Sequence, residues 1–181
     1  PFSVLTASRL DPRKRIDLAI RVVAQAHEKL PALQFDIYGK GGEADNLRHL
    51  IQELAAQDYI HLRGHADLKQ IYPCYQAYLT TSQWETFGLT LMEAVGAGLA
   101  LVGFDARYGN PTFIKDGENG YLVPYSETMD EDLLVSQMAD KIVFALESDL
   151  ESIHQISYDL AKQYLKPEIL EAWRKLLIAI R

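Results

Sequence analysis

Residues 2–38 decide the fold: FSVLTASRLDPRKRIDLAIRVVAQAHEKLPALQFDIY. The apolar run at 2–8 is typical of a β-strand, and so is the run at 33–38. Between them, apolar residues recur at helical spacing over 15–30, and Pro31 ends that pattern. A strand, a helix and a second strand joined by short connections predict two parallel strands with a crossover helix.

The rest of the chain repeats this alternation, which predicts an α/β fold with a doubly wound, Rossmann-like parallel sheet of six strands in three α/β/α layers. In such sheets the carboxyl ends of the strands hold the ligand, so the turns that follow strands are the candidate functional segments. The further strands are predicted near 59–63, 77–81, 100–104 and 120–123. The further helices are predicted at 47–54, 67–72, 88–98, 131–148, 151–164 and 167–180.

Length and composition fit one globular domain, which we place at 1–166, followed by a C-terminal helix at 167–181. Of the 181 residues, 48% are hydrophobic and 24% are charged. No apolar stretch approaches the roughly 20 residues that a membrane span requires, and no leader segment opens the chain. The net charge of −7 excludes a general affinity for nucleic acid or for an anionic membrane. We therefore expect a cytoplasmic protein without a membrane span of its own.

Cysteine and histidine give no metal site. Cys74 is alone, which excludes an intrachain disulfide and a cysteine-rich metal site. His61 and His65 could reach one metal ion, but no third ligand accompanies them. We therefore expect no metal.

The first turn after a strand carries a cluster of positive charge in an otherwise acidic chain. Arg9, Arg13, Lys14 and Arg15 lie within seven residues, and only Asp11 opposes them. Arginine forks and lysine ammonium groups suit phosphate oxygens, whereas cations at a helix N-terminus oppose the helix dipole. The turn therefore predicts an anion site, with a solvated helix start as the alternative.

The second turn, GKGGEA at 39–44, fits the G-x-G-x-x-G/A pattern of dinucleotide-binding folds. It follows the second strand rather than the first, and no acidic residue closes the next strand at 59–63. We interpret Gly39 and Gly41 as a tight turn that allows close backbone approach, with loop contact to a ligand in addition.

The third turn, SQWETFGLTLME at 82–93, places two carboxylates around a helix N-terminus. Glu85 precedes the helix and Glu93 lies about five residues into it, roughly 7–8 Å along its axis. The free amides at 87–89 can bind an anion between them. A diphosphate with hydroxyl-bearing groups on both sides would use both carboxylates, which describes a nucleotide sugar. The alternative is that Glu85 caps the helix and Glu93 is merely solvated.

In combination, these segments resemble the donor-binding half of the family 4 retaining glycosyltransferases, which have the GT-B fold. The resemblance runs through nearly the whole chain and includes the turn DGENG at 116–120. Tyr108-Gly109 ahead of that turn looks most like the poly(glycerol-phosphate) alpha-glucosyltransferase branch, which includes enzymes that glycosylate serine-rich adhesins.

The resemblance implies roles for individual residues. Arg9 and Lys14 would hold the donor diphosphate and offset the charge on the departing nucleotide. Glu85 would contact sugar hydroxyls and Glu93 the ribose. The donor would be UDP-glucose or UDP-N-acetylglucosamine, and neither a metal nor another cofactor would be needed. The other donor-binding positions would be Gly39 and Gly41, the backbone of Arg63, Gly64 and His65 facing the uracil, and the amides of Phe87, Gly88 and Leu89.

Two positions depart from the family pattern. Family members often have glycine after the lysine, where this chain has Arg15, so we expect one more cation near the phosphates or at the domain cleft. Asn110-Pro111 stands where the branch commonly has proline directly after Tyr-Gly, which leaves the acceptor role of that loop open.

The resemblance also implies a missing partner. GT-B enzymes place their active site between two domains, so an N-terminal acceptor domain with a catalytic histidine would precede this half, and 167–181 would pack on residues 1–166 or return toward it. This half alone would then be inactive. Three other functions stay open: a non-catalytic glycosyltransferase-like partner subunit, a sugar-nucleotide epimerase on the same fold, and a nicotinamide-binding domain.

Overall fold

The computed structural model describes residues 2–179, and its sheet has six parallel strands. The strands are β1 (Phe2–Ala7), β2 (Leu33–Tyr38), β3 (Ile60–Gly64), β4 (Ala77–Thr80), β5 (Ala100–Phe104) and β6 (Gly120–Val123). Their order across the sheet is β3-β2-β1-β4-β5-β6. This is the doubly wound order of Rossmann-like folds, as the sequence predicts.

Seven helices connect and cover the strands within the described residues. They are α1 (Ile16–Lys29), α2 (Ala44–Glu53), α3 (Leu89–Gly96), α4 (Gly109–Phe113), α5 (Glu131–Glu147), α6 (Leu150–Lys162) and α7 (Lys166–Ala179). Aspartates cap the N-termini of α5 and α6 through their side chains, whereas no side chain caps α3. The uncapped end of α3 leaves its first amides available to another partner.

Both faces of the sheet are buried, because successive side chains of a strand point to opposite sides. Val4 and Leu79 belong to a core shared with α1, α2 and α5. Leu5 and Tyr78 belong to a second core shared with α3, α4 and α6. Helices therefore form a layer on each side of the sheet, and the predicted three-layer α/β/α architecture is confirmed.

The strand order reverses between β1 and β4, which are neighbours in the sheet. The chain leaves β1 toward one edge of the sheet and, after β3, returns to build β4, β5 and β6 on the other side. The loops that follow β1 and β4 therefore diverge and leave a crevice between them. Such a switch point is where open α/β sheets bind ligands.

The asparagines of the loops after β5 have structural roles. Asn110 is buried, and its Nδ2 donates to the carbonyl of Phe104 over 2.9 Å. Asn119 is also buried, accepting from the amide of Lys115 at 2.7 Å and donating to the carbonyl of Phe113 at 3.0 Å. These bonds tie each loop to its neighbouring segment.

Several helix predictions need correction. The predicted helix at 67–72 is two short 3₁₀ turns, Leu68–Gln70 and Tyr72–Cys74. The helix predicted at 88–98 ends at Gly96, because the chain turns at Gly98, whose φ is +80°. Helix α4 was not predicted, because five residues that include Pro111 are too short to show a helical period.

Helix α7 is the one long element whose side chains stay exposed over the part that the structure describes. Leu170, Trp173 and Leu177 are 58%, 57% and 60% exposed. The division of the chain at 166/167 stays a prediction. Between residues 2 and 179, no helix is long and apolar enough to cross a membrane, and no three potential metal ligands among His, Cys, Asp and Glu come together.

Candidate functional site

Two adjoining cavities open at the carboxyl ends of β1 and β4. The first has a volume of about 740 Å³ and lies between the basic turn after β1 and the segment Gln83–Thr90 after β4. The second, of about 330 Å³, extends toward the turn after β2. They share Ala7, Ser8, Arg9 and Thr90, so they form one elongated cleft. We call it the switch-point cleft.

The basic turn is shaped by local hydrogen bonds. Asp11 accepts from the amide of Arg13 at 3.1 Å and caps a 3₁₀ turn at Pro12–Lys14. Burial raises the pKa of Asp11, but the hydrogen bond and the charge of Arg13 lower it by more. The pKa therefore lies below its usual value. Arg9 and Arg13 flank this carboxylate at 3.4 Å and stay largely exposed. Three cations, Arg9, Arg13 and Lys14, therefore line the first cavity.

Lys14 and Glu85 meet inside the first cavity. The ammonium group of Lys14 donates to Oε1 of Glu85, and both side chains are less than one-fifth exposed. The sequence predicts both residues for the site but not their direct contact, since they are 71 positions apart.

The backbone around Glu85 is held from the other side by the loop after β5. The amides of Tyr108 and Gly109 donate to the carbonyl of Glu85 over 2.6 and 2.8 Å, and the amide of Glu85 donates to Arg107. A Cβ on Gly109 would lie 2.5 Å from the carbonyl oxygen of Phe87, so this approach requires glycine. The loop after β5 thereby fixes the loop that carries Glu85.

The N-terminal end of α3 supplies amides without helical partners to the first cavity, which Arg9, Arg13 and Lys14 also line. Gly88 precedes the helix in the left-handed conformation, with φ of +84°. The first amides of a helix have no helical partner and favour an anion. Phe87, Gly88 and Leu89 line the first cavity, as the sequence predicts.

Glu93 lies outside both cavities. It is the fifth residue of α3, is exposed, and accepts from the hydroxyl of Tyr72 at 3.3 Å. Its predicted contact with a ribose stays a prediction.

The glycines after β2 serve close packing of backbone. A Cβ on Gly39 would lie 1.8 Å from the carbonyl oxygen of Ser8, and one on Gly41 would lie 2.1 Å from that of Leu10. The amide of Leu10 in turn donates to the carbonyl of Lys40 over 2.9 Å. The predicted tight turn is confirmed, and Gly39 but not Gly41 lines the second cavity.

Of the three residues predicted to face a base, His65 lines the second cavity. The carbonyl of Gly64 accepts from the amide of Gly39 over 2.8 Å. The side chain of Arg63 turns to Asp36, with Nε 2.8 Å from Oδ1. The side chain of Arg63 therefore joins β3 to β2 and does not line the cleft.

Arg15 does not line the first cavity, so it is not the additional cation that we expected near the phosphates. The alternative, a cation at the domain cleft, stays a prediction. Its guanidinium bonds Asp17 and Glu131, at 2.9 and 2.7 Å. The hydrogen bond to Asp17 raises the pKa of Arg15 above its usual value. Its φ of +47° is a left-handed conformation that glycine adopts freely, which explains why glycine suits this position in the resembling family.

The model of the family "Glycosyl transferases group 1" matches residues 1–158. The chain belongs to this family.

Relatives of this group 1 glycosyltransferase domain cover it almost completely. The UDP-N-acetylglucosamine–peptide N-acetylglucosaminyltransferase GtfA subunit of Streptococcus gordonii is 52% identical over 182 residues, covering 100% of this chain and 36% of that protein. The poly(glycerol-phosphate) alpha-glucosyltransferase of Bacillus subtilis is 27% identical over 175 residues, covering 95% of this chain and 25% of that protein. The chain therefore spans about a third or less of the length of these relatives.

Among solved structures, the pneumococcal O-GlcNAc transferase GtfA in complex with UDP and GlcNAc is similar in fold and sequence. The TM-score is 0.93 at 51% identity, covering 99% of this chain and 36% of that one. The predicted Rossmann-like sheet, one half of a GT-B fold, is confirmed. These comparisons do not favour the alternatives, which were a non-catalytic partner subunit, a sugar-nucleotide epimerase and a nicotinamide-binding domain.

Three polar residues of this glycosyltransferase domain were missed by sequence reasoning. Tyr78, at 2% exposure, places its hydroxyl 2.9 Å from both the carbonyl of Ala7 and Oγ1 of Thr90, and burial raises its pKa to about 12. Thr81, at 1% exposure, donates its hydroxyl toward the carbonyls of Lys14 and Arg15, at 3.1 and 2.7 Å. Both join the basic turn or β1 to the α3 side of the cleft.

Glu127 is the third missed residue, a carboxylate that lines the first cavity from the segment after β6. Tyr78 and Thr81 lie within and just beyond β4, at the switch point, whereas Glu127 follows the edge strand β6. A single polar residue within an apolar strand does not by itself indicate a functional role.

Proposed function

We propose that this chain is the donor-binding half of a retaining glycosyltransferase that uses UDP-N-acetylglucosamine. One observation carries the proposal: Arg9, Lys14, the free end of α3 and Glu85 meet in a single cleft at the switch point. A diphosphate flanked by hydroxyl-bearing groups satisfies all four. The choice of sugar rests on the 52% identity to a UDP-N-acetylglucosamine transferase against 27% to a glucosyltransferase.

The cations act on the leaving group. When the bond between the sugar carbon C1 and the phosphate oxygen breaks, negative charge grows on the nucleotide diphosphate. Arg9 and Lys14 and the amides at the start of α3 offset that charge from fixed positions, which lowers the barrier without a metal ion. Arg13, exposed on the same turn, adds positive potential at the mouth of the cleft.

The rest of the donor divides between the two cavities. Glu85 accepts hydrogen bonds from the sugar hydroxyls in the first cavity. The uracil lies in the second, beside His65 and Tyr38, and Glu93 binds the ribose hydroxyls after its exposed carboxylate turns from Tyr72. A carboxylate suits hydroxyl groups because it accepts from several donors at once.

The transfer step follows the retaining chemistry that the family resemblance implies. The acceptor hydroxyl attacks C1 from the face that the diphosphate leaves, so a new C1–O bond forms on that face. The acceptor proton passes to the departing phosphate oxygen. The acceptor is a hydroxyl of a protein, bound by an N-terminal domain of the full-length enzyme in the cytoplasm.

Calorimetric titration with UDP tests the donor site. We expect the purified chain to bind UDP, and the double variant Arg9→Ala/Lys14→Ala to lose that binding. The matched control is Arg48→Ala/Lys162→Ala, which removes two exposed cations outside the cleft. It therefore changes the net charge by the same amount as the first variant. Normal UDP affinity in the first variant, or equal loss in both, contradicts the assignment.

Thermal-shift measurements with different donors test the sugar. A ligand that binds the native state raises stability by RT ln(1 + [L]/Kd), so the donor with the lowest Kd gives the largest shift. We expect UDP-N-acetylglucosamine to exceed UDP-glucose, and both to exceed GDP-sugars. A larger shift with UDP-glucose would replace the proposed sugar and leave the site intact.

A further inference from the structure

The two groups proposed to hold opposite parts of the donor are bound to each other in the structure. In the proposed donor complex Lys14 binds the diphosphate and Glu85 binds the sugar, yet in this structure their side chains form an ion pair inside the first cavity. Their side chains are only 18% and 16% exposed. Water therefore replaces a lost partner poorly for either group, and breaking the pair has a cost unless both groups find new partners.

The backbones of both residues are anchored, so the competition is confined to the side chains. The hydroxyl of Thr81 holds the carbonyl of Lys14, and the amides of Tyr108 and Gly109 hold the carbonyl of Glu85. A ligand can pull the two side chains apart, but it cannot move the two loops away from each other without breaking these bonds.

An intact donor and a free nucleotide meet this pair differently. Both present a diphosphate that draws Lys14 away from Glu85. Only the intact donor also presents sugar hydroxyls, which donate hydrogen bonds to the carboxylate that has lost its lysine. The free nucleotide leaves Glu85 without that partner and adds its own negative charge beside it.

We propose that Glu85 makes the cleft discriminate between the sugar nucleotide and the nucleotide product, by competing with the diphosphate for Lys14. This rests on the proposed function and deepens it. Before transfer, the sugar occupies Glu85 and frees Lys14 for the diphosphate. After transfer, the sugar has left, Glu85 recaptures Lys14, and the nucleotide dissociates more readily.

The test is the affinity of Glu85→Gln for UDP and for UDP-N-acetylglucosamine, measured by calorimetry on the purified protein. Glutamine keeps the shape of the side chain but removes the charge that holds Lys14. We expect UDP to bind roughly five-fold tighter than to the wild type, the worth of one partly exposed ion pair. UDP-N-acetylglucosamine gains no affinity, because it loses a charged acceptor for its hydroxyls.

Two controls separate this competition from a general change of charge. Glu127→Gln removes a negative charge from the same cavity without touching the pair, so UDP gains less affinity than in Glu85→Gln. In a Lys14→Met background, the gain from Glu85→Gln falls to that of Glu127→Gln, because only the relief of charge repulsion remains. Circular dichroism establishes that each variant is folded.

The outcomes distinguish the inference from the function on which it rests. If the wild type binds neither UDP nor UDP-N-acetylglucosamine, the proposed function fails. If the wild type binds both and Glu85→Gln binds UDP no tighter, the inference alone is overturned. An equal gain in Glu127→Gln, or an undiminished gain from Glu85→Gln without Lys14, overturns it as well.

Discussion

A single buried hydroxyl, that of Thr81, joins the basic turn to the end of β4. It lies 3.1 Å from the carbonyl oxygen of Lys14 and 2.7 Å from that of Arg15, and Arg15 has a left-handed backbone. The carbonyl of Arg15 also accepts from the amides of Leu18 and Ala19 at the start of α1, so Thr81 matters mainly for the carbonyl of Lys14. Thr81 therefore positions the lysine that we assign to the diphosphate.

Replacing Thr81 by valine should weaken both the fold and the diphosphate site. Valine keeps the shape but removes the hydrogen bond to the carbonyl of Lys14, which costs about 1–3 kcal/mol of the free energy of unfolding. We expect UDP affinity to fall about ten-fold, equivalent to about 1.4 kcal/mol. Urea denaturation and calorimetric titration measure the two effects.

Thr81→Ser is the matched control, because it retains the hydroxyl and should retain UDP affinity. Uridine, which lacks the diphosphate, provides a second readout by saturation-transfer NMR. Its binding should change little in Thr81→Val. An equal loss of uridine and UDP would show that the whole cleft has been disturbed rather than the position of Lys14.

Arg15 provides the opposite case, a cation of the basic turn that faces away from the cavity. Replacing it by glycine relieves a left-handed backbone that costs a non-glycine residue about 1–2 kcal/mol. It also removes ion pairs to Asp17 and Glu131, worth about 0–1 kcal/mol each. The midpoint of thermal unfolding should therefore move little.

UDP affinity of Arg15→Gly should stay within about two-fold of the wild type, a change of about 0.4 kcal/mol. Calorimetric titration beside Lys14→Ala measures this directly. A loss of UDP affinity as large as that of Lys14→Ala would mean that Arg15 does contribute to phosphate binding.

Charge and spacing predicted the basic turn and Glu85, because charged residues in turns after strands stand out from an apolar background, and the family resemblance singled out Arg9 and Lys14 within that turn. Arg15 stood out equally, but charge alone does not say which way a side chain turns. Its left-handed backbone and the two acceptors Asp17 and Glu131 decide that, and Glu131 is 116 positions away. Tyr78 and Thr81 gave no signal, since a strand tolerates both residue types for reasons unrelated to function.

At the scale of elements, the loop after β5 acts as the support of the loop after β4. The two run side by side through the hydrogen bonds of Glu85 with Tyr108 and Gly109. Phe87 packs its ring edge-to-face on Phe113 of α4, with the centroids 5.4 Å apart. The position of Glu85 therefore depends on α4.

Gly109→Ala should displace this support. The new Cβ would lie 2.5 Å from the carbonyl oxygen of Phe87 and 3.1 Å from Cβ of Glu85, so the loops must separate. We expect a loss of about 1–3 kcal/mol in the free energy of unfolding and weaker binding of UDP-N-acetylglucosamine. Differential scanning fluorimetry with and without the donor measures both.

Gly42→Ala is the control for a glycine in open space, where a Cβ meets nothing within 4 Å. Its stability should change by no more than about 0.5 kcal/mol, and its donor binding should not change. Unaltered donor binding in Gly109→Ala would mean that the two loops adjust independently.

The sequence predicted the strands more securely than these supports. All six strands and the long helices follow from patterns within short stretches of sequence, whereas α4 and the pairing of the two loops depend on contacts between segments distant in the chain. Residue 109 reads as an ordinary turn glycine until Phe87 is seen against it. Local pattern carries no information on such approaches.

At the scale of the whole molecule, the sheet buries side chains on both faces, while α7 leaves its apolar side chains exposed. The alternation of strands and helices predicted a doubly wound sheet with a switch point, since right-handed crossovers between parallel strands admit few arrangements, and the structure supplies the strand order. The position of α7 does not follow from the sequence, because an apolar stripe on a helix indicates only that something covers that stripe. Chains similar to this one are about three times as long or longer.

The second core contains buried tyrosines, which make the stability of the whole molecule sensitive to alkaline pH. Burial raises the pKa of Tyr78 to about 12, and burial also raises the pKa of Tyr72 above its usual value. An unfolded tyrosine ionises near pH 10. Between pH 10 and 12 the unfolded state therefore binds fewer protons than the native state, so stability falls as pH rises.

We expect the free energy of unfolding to be independent of these tyrosines below about pH 9 and to fall above pH 10. The fall is about 1.4 kcal/mol per pH unit for each tyrosine that ionises only on unfolding. Urea denaturation from pH 8 to 11.5, followed by circular dichroism, measures it. Tyr78→Phe removes one ionising group, so its stability should be lower at pH 8 but decline less steeply above pH 10. An identical slope in this variant would mean that Tyr78 ionises within the folded protein, which its burial between β1 and α3 argues against.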